Sequence, residues 1–116
     1  MVPLPVELVE AVDCQSIQDT LNAYPSATVF CYVWATWCVP CKTVGPRFEA
    51  LAAKYGGQAL FLKIDADGCV DFLRANLIKG IPVILALQAG IENGRLPGEP
   101  SLNVIEQFIQ EHITGE

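Results

Sequence analysis

The sequence predicts an α/β fold, three-layered, with a central mixed β-sheet of about five strands flanked by about four helices. Three observations carry that reading. Three segments are almost wholly apolar, helical patterns alternate with them, and a hairpin signal followed by a last helix closes the chain.

Val6 to Val12 reads as the first strand, and Ser16 to Asn22 as a weak helical segment ended by Tyr24-Pro25. Ala27 to Trp34, Ala59 to Ile64 and Pro82 to Leu87 are the three apolar segments, rich in β-branched residues and bounded by turn or polar residues. Such runs suit strands buried on both faces, the mark of a sheet covered by helices. Between the first two, Val44, Phe48, Leu51 and Tyr55 recur at spacings of four, three and four, with Lys42, Arg47, Glu49 and Lys54 on the other faces. Gly56-Gly57 then stops that helix. Asp67 is placed to cap a short helix carrying Cys69, Phe72 and Leu73 on one side. Ile91 to Leu96, after Ala89-Gly90, reads as an edge strand closing a hairpin. Ser101 is placed to cap the final helix, whose apolar stripe is Leu102, Ile105, Phe108, Ile109 and Ile113.

Composition narrows the function. Residues 1–116 suit a single domain. At 52% hydrophobic and 17% charged the chain is too apolar to be disordered, yet no apolar run approaches the roughly 18 residues of a membrane span. The net charge is −6 and the seven Lys and Arg are scattered, which argues against nucleic acid or a membrane surface as partner. The opening MVPLPVELVE has neither the basic start nor the apolar stretch of a signal peptide, so a cytoplasmic location is expected. Cysteines stand at 14, 31, 38, 41 and 69, an odd number unlike a secreted disulfide scaffold.

Trp37-Cys38-Val39-Pro40-Cys41-Lys42 lies where the second strand passes into the second helix. A cysteine at a helix N-terminus meets unpaired N–H groups and the positive end of the dipole, which favour the thiolate. Cys41, one helical turn on, can attack a mixed disulfide at Cys38; that makes Cys38 the nucleophile and Cys41 the resolving thiol. Pro40 sits in the first turn, where its missing N–H costs little. The competing reading is half a zinc site. It would need a second Cys/His pair, whereas the other cysteines are isolated in sequence and the single histidine, His112, lies in the last helix.

The run Trp34-Ala35-Thr36-Trp37-Cys38-Val39-Pro40-Cys41-Lys42, with Pro46, Ile64-Asp65-Ala66-Asp67, Gly80-Ile81-Pro82, Gly90 and Gly98, resembles the thioredoxin family from about Val9 to Ile113. The resemblance implies the thioredoxin fold and a cis peptide at Ile81-Pro82 against the Cys-Val-Pro-Cys turn. It also implies that the Ile81 backbone pairs with an extended substrate, with Trp37, Ile81, Pro82 and Gly98 as the substrate-binding set and Trp37, Val39, Pro40 and Lys42 shaping the site. Read from the residues alone, a trans Pro at a strand start is the better expectation for Pro82.

Three positions depart from the family pattern. Val39 stands where Gly is usual, and the Cys-Val-Pro-Cys run is also similar to that of membrane-tethered periplasmic reductases. Tyr32 stands where thioredoxins bury an Asp, and Phe61 where they carry the Lys that partners it. Losing both together avoids a buried unpaired charge but removes a general base; Tyr32 then reads as a packing residue with its hydroxyl satisfied. Cys31 reads as an inert core residue and Cys14 as an exposed one. Cys69 falls where some animal thioredoxins carry an additional regulatory cysteine, though a plain structural role is the simpler reading. His112 reads as a surface residue suited to a helix C-terminus.

The expected function is reduction of protein disulfides through a dithiol/disulfide cycle of Cys38 and Cys41. No cofactor and no metal are expected. The partners implied are a thioredoxin-reductase-type electron donor and disulfide-containing proteins, a peroxiredoxin among them, and the chain reads as a monomer. The alternatives are a specialised relay serving one client, favoured by Val39, Tyr32 and Phe61, and a non-catalytic binding module. Retention of both cysteines and Pro40 weighs against the module.

Overall fold

A computed structural model describes residues 3–114. The elements run β1 (Val9–Ala11), α1 (Cys14–Ala23), β2 (Thr28–Trp34), α2 (Cys41–Tyr55), β3 (Leu60–Asp65), a 3₁₀ turn (Ala66–Gly68), α3 (Val70–Ala75), β4 (Val83–Gln88), β5 (Ile91–Pro97) and α4 (Leu102–Thr114). The sheet has the order β1-β3-β2-β4-β5. β1, β3 and β2 are parallel neighbours, β4 runs antiparallel to β2, and β5 antiparallel to β4. The mixed sheet is therefore as expected, and the three apolar runs are its central strands.

Alternation along the strands sets the two core faces. Phe30 and Tyr32 of β2 share one face with Phe61 of β3. There Phe48 of α2 stands 5.3 Å from Tyr32 and 5.8 Å from Phe61, ring to ring, and Phe108 of α4 stands 6.1 Å from Phe30. Burying aromatic rings of this size stabilises the fold by about 3–5 kcal/mol each on the scale of Phe-to-Ala losses. α2 packs beside α4 on this aromatic layer, and α1 beside α3. The β4–β5 hairpin turns through Ala89 and Gly90, both with positive φ (53° and 79°), the conformation that two-residue turns require.

Several boundaries differ from the sequence reading. Only Val9–Ala11 of the Val6–Val12 run pairs, against Leu62, Lys63 and Ile64, because Val6 and Val12 face solvent at the sheet edge. α1 is longer than expected. Asp13 caps it by accepting hydrogen bonds from the Ser16 backbone N–H (2.8 Å) and the Ser16 hydroxyl (2.7 Å). Asp67 does not cap α3. Asp65 caps the 3₁₀ turn instead, accepting from the Asp67 N–H, and Cys69 is the residue entering α3. Ser101 does cap α4, accepting from the Val104 N–H, but Leu102 lies outside the stripe and is exposed. His112 is half-buried rather than a plain surface residue. Its ring lies 4.5 Å from that of Phe108, and its Nδ1 lies 2.8 Å from the Phe108 carbonyl.

Candidate functional site

β2 is the central strand, and its C-terminal end delivers Trp34 to the turn that opens α2. Cys38 N–H donates to the Ala35 carbonyl (3.1 Å), and Pro40 accepts at its carbonyl from both Thr43 and Val44 N–H groups, which starts the helix. Cys41 is its first residue. No side chain caps this N-terminus and no acidic residue stands in its first turn, so its dipole and free N–H groups are uncompensated beside the cysteines. Cys38 and Cys41 are disulfide-bonded, with Cα atoms 5.3 Å apart and each residue 4% exposed. Val39, at 72% exposed, and Trp37, at 65%, stand out from the surface on either side of Cys38. Pro46 lies inside α2 without interrupting it.

Beneath the pair, Tyr32 is fully buried and its hydroxyl donates to the Cys41 carbonyl (2.8 Å). Burial, and secondarily the charge of Glu49, pushes its phenol up to about 12. Tyr32 therefore acts as a hydrogen-bond donor at neutral pH and cannot serve as a base. Phe61 is buried in the aromatic layer, where the Phe30 ring stacks on it at 5.3 Å. The site thus holds Cys41 by a neutral bond to its backbone.

The Ile81-Pro82 peptide is cis. Pro82 is buried and its carbonyl accepts from the Gly98 N–H (3.2 Å), so Gly98, exposed with φ +80°, is tied to the same loop. A groove of about 230 Å³ runs between Trp37, Asp67, Val70, Leu73, Lys79 and Ile81. Its wall includes a contact that sequence reasoning missed: Trp37 Nε1–H donates to the Asp67 carboxylate, with both oxygens at 3.0 Å. Trp37 and Ile81 thus line one groove, Pro82 and Gly98 are joined by a backbone hydrogen bond, and the Lys42 side chain is exposed at the start of α2.

A family model for thioredoxin matches residues 9–111. The chain belongs to the thioredoxin family. It is 33% identical over 104 residues to thioredoxin 2 of Chlorobaculum tepidum, covering 90% of this chain and 94% of that one. It is 32% identical over 100 residues to a thioredoxin of Echinococcus granulosus, covering 84% and 92%. The solved structure of reduced Schistosoma mansoni thioredoxin pre-protein matches with a TM-score of 0.81 at 32% identity, over 91% of this chain and 98% of that one. Family and geometry together support thiol–disulfide oxidoreductase activity at a redox-active Cys38–Cys41 disulfide. Among the described residues no cluster of three or more His, Cys, Asp or Glu could hold a metal ion, and no helix is long and apolar enough to cross a membrane.

Of the remaining cysteines, Cys31 is the core residue expected, and Cys14 and Cys69 correct the sequence reading. Cys31 is buried and free, and burial pushes its thiol up to about 12, which leaves it an inert protonated core residue. Cys14 and Cys69, read separately as an exposed and a structural cysteine, are disulfide-bonded to each other, with Cα atoms 4.9 Å apart. The missed signal is topological. β1 and β3 are parallel neighbours with Ala11 opposite Ile64, so the residues just past their ends emerge side by side.

Proposed function

We propose that this chain is a protein-disulfide reductase comprising one thioredoxin domain over residues 1–116, acting in the cytoplasm. The observation that carries the reading is the Cys38–Cys41 disulfide at an uncapped helix N-terminus, bordered by the exposed apolar Trp37 and Val39. In the reduced protein the Cys38 thiolate attacks a disulfide of the substrate, expelling one substrate sulfur as a thiol. Cys41 then attacks Cys38 Sγ, closing the intramolecular disulfide and releasing the second substrate thiol. Two electrons pass to the substrate, and a dithiol donor of the thioredoxin-reductase type restores the pair.

The substrate chain lies along the Ile81-Pro82 backbone, with its side chains against Trp37, Val39 and Ile81. Gly98 leaves room beside it, and Pro40 and Lys42 shape the helix entry. Buried Tyr32 makes the proton released by Cys41 pass to solvent. Tyr32 and Val39 also favour a second reading, a relay serving one client such as a peroxiredoxin, because each departs from the pattern of a general reductant.

The deciding experiment follows Trp fluorescence of the chain in dithiothreitol and glutathione buffers to obtain the equilibrium potential of the Cys38–Cys41 pair. A value near the −270 mV of thioredoxins, to within about 30 mV, supports the general reductase. A value near about −180 mV favours the dedicated relay, and no reversible transition rejects both.

A further inference from the structure

The second disulfide joins two segments that are already in backbone contact. A Cβ placed on Gly68 would lie 1.6 Å from the Val12 carbonyl oxygen, so the chain leaving β1 passes directly against the chain leaving the 3₁₀ turn. One residue beyond Gly68 and two beyond Val12, Cys69 and Cys14 close the bond across this seam. Cys69 is 1% exposed, but Cys14 is only half-buried. Both line an open groove between α1 and α3, with Gln18, Asp71, Phe72 and Asn76. An attacking thiolate can therefore approach Cys14 Sγ from solvent, with the buried Cys69 sulfur as leaving group.

The bond is also connected to the first site. Cys69 N–H donates to the Ala66 carbonyl (3.3 Å), and Ala66 and Asp67 form the wall of the groove beside Trp37. Asp67, two residues before Cys69, holds the Trp37 indole. The short segment Asp65–Cys69 is thus pinned at one end by the disulfide and grips Trp37 in its middle.

We propose that Cys14–Cys69 is a second redox centre of this chain, opened by an external dithiol through Cys14, and that its state sets how firmly Asp67 holds Trp37 at the groove. In the reaction a thiolate of the dithiol attacks Cys14 Sγ, the Cys14–Cys69 bond breaks, and Cys69 leaves and takes a proton from water. The second thiol of the same reductant then attacks its own sulfur bound to Cys14, leaving oxidised as a disulfide and releasing Cys14 as a thiol. Two electrons enter the protein at a place distinct from Cys38–Cys41. Only the role of the groove in substrate binding rests on the function proposed above.

The test uses the full oxidised chain in native buffers of graded dithiothreitol ratio, trapped with N-ethylmaleimide and mapped by mass spectrometry. Cys14 and Cys69 should gain their labels together while buried Cys31 stays unlabelled. Labels that reach Cys14 and Cys69 only when Cys31 is labelled too, on global unfolding, would overturn the proposal and leave a structural cross-link. Transmission is read in a Cys38→Ala/Cys41→Ala chain, which cannot turn over and so reports nothing on the reductase reading. Opening Cys14–Cys69 there should shift the tryptophan emission, and the shift should vanish when Trp37→Phe is added. An unchanged emission on opening, or a shift that persists without Trp37, would overturn the coupling. Should either variant fail to fold, the ring protons of Trp37 in the wild-type chain, followed by NMR across the titration step assigned to Cys14 and Cys69, give the same answer.

Discussion

The two disulfides of this chain make the same covalent bond in opposite settings. Cys38–Cys41 closes a separation of 3 residues at a helix entry, with no acidic residue in the first turn and apolar side chains standing out around it. Cys14–Cys69 closes a separation of 55 residues between two helix entries, with Asp13 and Asp71 as neighbours. A short closure barely restricts the unfolded chain, so making or breaking it costs the fold little and it can cycle. A long closure removes many unfolded conformations, so opening it costs the fold more. Position along the chain thus sets how much fold stability each bond carries when it opens, little for Cys38–Cys41 and much for Cys14–Cys69.

The largest test of that contrast is a pair of exchanges. Cys38→Ser should lower turnover on a disulfide-bonded protein such as insulin by more than about 10³-fold while thermal stability stays close to wild type. Loss of turnover without loss of fold is the outcome to look for. Cys14→Ala/Cys69→Ala should do the reverse, lowering unfolding free energy in urea by about 4 kcal/mol on the chain-entropy argument. A denaturation midpoint unchanged from wild type would break the comparison.

Gly68→Ala probes the seam beneath the long bond without touching sulfur. Its Cβ would run into the Val12 carbonyl, so a loss of about 3 kcal/mol is expected in the same urea titration. The same change at Gly80, where nothing lies within 4 Å, should leave the midpoint nearly unmoved.

Tyr32→Phe sharpens the account of the short bond. It removes the hydroxyl that donates to the buried Cys41 carbonyl and should cost about 0.5–1.5 kcal/mol. Its pH signature has a definite sign. Both Tyr32 and Cys31 have folded values raised to about 12, from ordinary values of 10.0 and 9.0, because burial disfavours their charged forms. The unfolded chain therefore releases these protons first. Their contribution is intact below about pH 9 and is lost as pH rises from there towards 12. In stability measured against pH, Tyr32→Phe should remove the share of this decline that sets in near pH 10, and Cys31→Ala the share that sets in near pH 9, each leaving the other's share in place. The smallest effect belongs to Asp13→Ala, which removes the cap of α1 beside Cys14. The Ser16 backbone and hydroxyl hold its carboxyl below the usual value, so its contribution is present above about pH 4 and fades as pH falls through the folded value. The variant should melt slightly earlier at pH 7, and the difference should close in acid.

Much of this protein was legible from residue order. The aromatic and β-branched runs specify the central strands because full burial on both faces demands uninterrupted apolar sequence, and the structure shifts their ends by a single residue. The Cys-Val-Pro-Cys turn was equally plain, since both cysteines and the helix entry lie within a few residues. What sequence could not show depends on which strands become neighbours. β1 pairs with β3 rather than with β2, and that choice alone brings Cys14 beside Cys69, lays Gly68 on Val12, and frees Asp67 from helix capping to hold Trp37. Strand order follows from the total packing of two apolar faces, a sum over the whole chain. Local patterns therefore determined the chemistry of the first disulfide, and only the tertiary structure decided that there is a second.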